Sequence, residues 1–74
     1  MNNKLEFKDI SDEQYRVYEW AGYSKIRINE PLQLNVSESG GHRILDKEGT
    51  SHYIPKGWLH LYWVVKEGKP TFAF

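Results

Sequence analysis

The densest apolar and aromatic run of the chain, Gly57 to Lys66 (GWLHLYWVVK), constrains the fold more than any other stretch. As a strand it places Leu59, Leu61, Trp63 and Val65 on one side and Trp58, His60, Tyr62 and Val64 on the other. Both sides are largely apolar. A strand with one buried face carries polar residues on the second, so this one either lies between two layers or shows aromatics to a partner.

With 74 residues the chain makes one small domain, in the range where a single hydrophobic core barely offsets the conformational entropy lost on folding. Disulfides cannot assist, because there is no cysteine, and the same absence removes thiolate metal sites, cysteine nucleophiles and thiol redox chemistry. Aromatic residues, 15% of the chain, are left to supply the buried area or to drive association. Ten basic residues balance ten acidic ones in scattered positions, so no overall field draws the protein to nucleic acid or to a membrane. The start, MNNKLEFKD, has no apolar signal-like region, and no apolar run reaches the roughly 18 residues needed to span a bilayer. A cytoplasmic protein is the expectation.

Along the chain, Lys4 to Lys8 alternates charged and apolar residues and reads as a first strand. Gln14 to Trp20 is rich in strand formers, although Ser11 and Gln14 could cap a helix, so a short helix over 12–21 is the alternative. A tight Ala21-Gly22 turn into a strand Tyr23 to Asn29 would pair Tyr18 with Lys25 and Arg16 with Arg27. Tyr15, Val17, Ile26 and Ile28 would then form a core face, and Arg16, Tyr18, Trp20, Tyr23, Lys25 and Arg27 an aromatic and basic outer face. A longer loop would shift that register.

Pro31 suits the first position of a strand whose Leu32, Leu34 and Val36 alternate with Gln33 and Asn35. Asp46-Lys47-Glu48-Gly49 predicts a hairpin turn with Gly49 in the left-handed region, setting Ile44 opposite His52 and His42 opposite Ile54. Glu67-Gly68-Lys69-Pro70 turns the chain into Thr71-Phe72-Ala73-Phe74, whose two phenylalanines point to one side and seek burial. The fold class expected is all-β: a small antiparallel sheet curled into a barrel or sandwich of about five to seven short strands.

The candidate metal ligands are His42, His52 and His60, whose spacing matches no compact ligand motif. From Gly49 to His60 the chain reads Gly49, five residues, Pro55, one residue, Gly57, two residues, His60. This spacing resembles the second sequence motif of the cupins, and the wording Ile54-Pro55-Lys56-Gly57-Trp58-Leu59-His60 resembles metal-dependent oxygenases built on that barrel. In that family the histidine ligates the metal, so the resemblance implies that role for His60. The chain departs from the pattern at Val64, where members carry Asn, and the paired histidines of the first motif have no counterpart: Ile28 and Glu30 stand in the ligand places. A metal-free version of the motif is the other reading.

No phosphate loop or paired nucleophile and base is present, and Asp9, Asp12, Glu13, Asp46, Glu48 and Glu67 fall mainly in predicted turns or flanks. The expectation is a non-catalytic module without a cofactor. Trp, Tyr and Arg concentrate on the hairpin face and on Trp58, His60 and Tyr62, the residue types that centre protein interfaces. Another protein or a second copy of the chain is the expected partner. Single-stranded nucleic acid on the Arg16 to Arg27 hairpin is the alternative, since aromatic platforms flanked by cations stack bases and follow phosphates.

Overall fold

The computed structural model describes residues 6–69. Within them the chain is all-β, with seven antiparallel strands: β1 (Lys8–Asp9), β2 (Glu13–Glu19), β3 (Lys25–Asn29), β4 (Pro31–Val36), β5 (His42–Asp46), β6 (Ser51–Ile54) and β7 (His60–Val65). They form a four-stranded sheet in the order β1-β4-β5-β6 and a three-stranded sheet in the order β3-β2-β7. The sandwich encloses Ile10, Tyr18, Ile28, Leu34, Ile44 and Ile54, with Trp20, Trp58 and Leu61 packed against them.

The helix alternative over 12–21 is replaced by strand β2 and one 3-10 turn, Ala21–Tyr23. Strand formers and pairing on both sides of β2, to β3 and β7, outweigh the capping signals. The β2–β3 register, however, differs by one residue from the two-residue turn expected. Tyr18 lies opposite Ile26 and Arg16 opposite Ile28, so Arg16 and Arg27 do not face each other. A two-residue turn on Ala21-Gly22 would need a positive φ at Ala21, or glycine in its place. Instead the loop lengthens, with Gly22 at φ 77° and Tyr23 at φ 66°. Trp20 N–H donates to the Ser24 carbonyl at 2.8 Å to close it. One residue of slip exchanges the faces of β3 relative to β2. Ile26 and Ile28 therefore join Arg16 and Tyr18 on the side facing the larger sheet, while Lys25 and Arg27 turn outward beside Tyr15 and Val17.

A bulge on β2 between Glu13 and Tyr15 completes this arrangement. In an unbroken strand, residues three apart point to opposite faces. The extra residue, Gln14, restores Glu13 to the side of Arg16, and its carbonyl accepts from Glu30 N–H at 3.0 Å.

The β5–β6 hairpin follows the sequence expectation: His42 is opposite Ile54, Ile44 opposite His52, and Gly49 takes φ 87°. Asp46 Oδ1 secures the turn by accepting from the backbone N–H groups of Glu48 and Thr50 at 2.9 and 3.0 Å. Strand β7 begins at His60, later than the alternation suggests, because Gly57 at φ 124° precedes a segment that sends Trp58 inward. Leu59 is left 75% exposed while its N–H donates to Glu19 at 2.8 Å. Among the described residues β7 ends its sheet, half-buried from Leu61 to Val65 on both faces. The expected first strand, Lys4 to Lys8, overlaps the described β1 only at Lys8: Glu6 and Phe7 are not in a strand, Lys4 and Leu5 lie outside the described residues, and the expected Thr71–Phe74 strand lies wholly outside them.

Candidate binding face

Two groups of polar and aromatic side chains stand out, one inside the sandwich and one outside. Inside, Glu13 and Arg16 are both 0% exposed. Arg16 Nε and Nη2 donate to the two carboxylate oxygens of Glu13 at 2.8 and 2.6 Å, a bidentate fork. Arg16 Nη1 donates to the Tyr18 hydroxyl at 3.2 Å, and that hydroxyl lies 2.6 Å from His42 Nδ1.

Burial works against the Arg16 charge, but the bonds to Glu13 and Tyr18 outweigh it and raise its pKa. Burial also raises the Tyr18 pKa, keeping the phenol protonated. His42 is pushed down to about 4 by burial and then by the Arg16 charge, so at neutral pH it is uncharged. Since guanidinium can only donate, Tyr18 accepts from Arg16 and donates to His42 Nδ1. This chain of bonds ties β2 in the smaller sheet to β5 in the larger. Trp58 closes its end, 5.0 Å from the Tyr18 ring and 4.8 Å from His42 between centroids. Of the expected contact residues, Arg16, Tyr18 and Trp58 thus belong to the interior, as does the candidate ligand His42.

Outside, Lys25, Arg27, His60 and Tyr62 share the outer face of the smaller sheet. Val17 sits at its centre, directly between Arg27 on β3 and Tyr62 on β7, and these neighbours reduce its exposure to 3%. The Arg27 guanidinium stacks 3.8 Å from the Tyr15 ring centroid while its Nε donates to Asn29 Oδ1 at 2.8 Å. His60 Nδ1 lies 2.9 Å from Glu19 Oε1, and its ring is 5.1 Å from that of Tyr62. At the hairpin tip, Trp20 is half-buried against the core and Tyr23 is 100% exposed. Leu59 joins Trp20, Tyr23 and Lys25 around a shallow depression there.

The three histidines do not converge. His42 serves Tyr18, His52 Nε2 lies 2.9 Å from Asp46 Oδ2, and His60 meets Glu19. Among the described residues no group of three or more His, Cys, Asp or Glu side chains is placed to hold a metal ion. The stretch that resembles the cupin motif divides between a hairpin loop at Gly49, the crossing between sheets at Pro55 to Gly57, and the first residue of β7. Comparisons with protein-family models, with curated proteins and with solved structures give no match for this chain.

Sequence reasoning missed Glu13 as the partner of Arg16, because the bulge that aligns them leaves no periodic mark. It also missed Tyr15 as the platform for Arg27. The signal for Tyr15 was available in the longer loop, which moves Lys25 and Arg27 to the Tyr15 side.

Proposed function

We propose that this protein is a small non-catalytic binding module that associates with a second copy of itself through the outer face and hairpin tip of the smaller sheet. The observation that carries this reading is Tyr23, fully exposed at φ 66°. A non-glycine residue in this region costs roughly 1 kcal/mol or more. Within the subunit its side chain regains none of this through burial. An intermolecular contact offsets the strain. Leu59, 75% exposed beside it, adds apolar area, and Trp20 supplies a partly open ring.

The charges favour like meeting like. The face carries Glu19 as well as Lys25, Arg27 and His60, so two copies related by a twofold axis can set unlike charges opposite each other. Zero formal net charge gives no long-range attraction to a polyanion.

A second reading, single-stranded nucleic acid on the same face, is favoured by one arrangement: Arg27 stacked on Tyr15 with Lys25 on the same strand. Light scattering on a sizing column over a concentration series tests the first reading. The mass is expected to rise above that of the monomer with concentration, and a constant monomer mass overturns it. Titration with short oligonucleotides at low salt, followed by tryptophan fluorescence, tests the second; a flat response eliminates it.

A further inference from the structure

A separate site lies on the outer face of the larger sheet, away from the proposed contact surface. There a cleft of about 550 Å³ is lined by Phe7, Gln33, Arg43, Leu45, Ser51 and Tyr53 among others, within the range typical of small-molecule sites. Phe7 and Tyr53 remain 44% and 51% exposed.

Arg43 is held in position. It lies opposite Asn35 on β4 and opposite Tyr53 on β6. Its Nη1 donates to Asn35 Oδ1 at 2.8 Å, and Asn35, only 6% exposed, is itself fixed by donating from Nδ2 to the Glu6 carbonyl at 2.9 Å. The guanidinium lies 5.6 Å from the Tyr53 ring centroid. Among the described residues it has no carboxylate partner.

The Tyr53 side chain is also fixed in place. Its hydroxyl lies 3.3 Å from Ser39 Oγ, and it packs so closely over Gly41 that a Cβ there would overlap it. Guanidinium has five N–H donors in a planar fork, and the bond to a neutral amide leaves its charge unneutralised.

We infer that this cleft binds a small ring-bearing carboxylate, its carboxylate on Arg43 and its ring against Phe7 and Tyr53. Charge complementarity selects the anion, the fork matches a planar carboxylate, and the exposed rings supply apolar contact.

The test is an amide-resolved NMR titration of the ¹⁵N-labelled full chain with phenylacetate and indole-3-acetate, alongside their neutral amides and phenyl phosphate. Saturable shifts are expected at Gln33, Arg43, Leu45, Ser51 and Tyr53. The neutral amides should bind roughly tenfold more weakly or worse, and Arg43→Gln should lose a similar factor for the acids. If Arg43→Gln fails to fold, the amide comparison on the unaltered protein decides. Equal binding of acid and amide, shifts centred on the smaller sheet, or no saturable shift at millimolar ligand would overturn the inference. Phenyl phosphate binding more tightly than both acids would overturn the assignment to a carboxylate.

Discussion

The paired stem and the tip of the β2–β3 hairpin each present a tyrosine, and the two occupy opposite environments. In the stem Tyr18 is 0% exposed, its hydroxyl between Arg16 and His42. At the tip Tyr23 is 100% exposed on a backbone of positive φ. Residue type does not distinguish them; position relative to the loop does. The stem is where the sandwich spends its polar side chains on holding two sheets together, and the tip holds a ring the subunit does not use.

The largest expected difference comes from breaking the stem network. Glu13→Gln removes the carboxylate charge that the buried Arg16 guanidinium grips, a loss of about 3–5 kcal/mol for pairs of this kind. That is a large part of the total stability of a small domain, so urea unfolding should show a sharply lowered midpoint or no folded baseline. An unchanged midpoint would mean that the pair is hydrated and the stem is open.

Acid acts on the same network more gently. His42 has a folded-state pKa of about 4 against an ordinary 6.5, so the unfolded chain takes up its proton first. The contribution of neutral His42 is complete above pH 6.5 and is lost progressively as the pH falls through about 4. The groups facing it are the Tyr18 hydroxyl, the Arg16 charge behind it and the Trp58 ring, none of which offers the imidazolium a negative partner. The full loss is about 3 kcal/mol. His42→Gln, which retains an acceptor for Tyr18, should flatten this part of the curve of stability against pH; an equal slope in both proteins would place the acid sensitivity elsewhere.

The hairpins also show how much could be read beforehand. The β5–β6 register was legible because Asp46-Lys47-Glu48-Gly49 fits one loop type, with Gly49 in the only position requiring positive φ. The β2–β3 register was not, because Ala21-Gly22 fits no preferred turn and the positive φ moved on to Tyr23, a residue that local preference would not select. From that single slip followed the errors about the site: Arg16 and Tyr18 were expected outside and are buried, whereas Tyr15 was expected on the core face and lies on the outer one, against Arg27. Aromatic surplus and all-β class survive because they depend on composition and alternation, not on register.

The smallest effect belongs to the tip. Tyr23→Gly relieves the left-handed strain and should stabilise the fold by about 1 kcal/mol, while weakening the proposed self-association roughly tenfold by deleting the exposed ring. A variant with lower stability and unchanged association would make Tyr23 a structural residue and sever it from any interface.

Everything distinguishing stem from tip depends on the pairing of β2 with β3, and cross-strand α-proton NOEs in the full chain read that pairing most directly. The structure predicts them between the opposed residues that do not exchange backbone hydrogen bonds, Val17 with Arg27 and Glu19 with Lys25. Contacts joining Tyr18 with Lys25 or Val17 with Ile26 instead would turn Lys25 and Arg27 to the Arg16 and Tyr18 side and contradict the account.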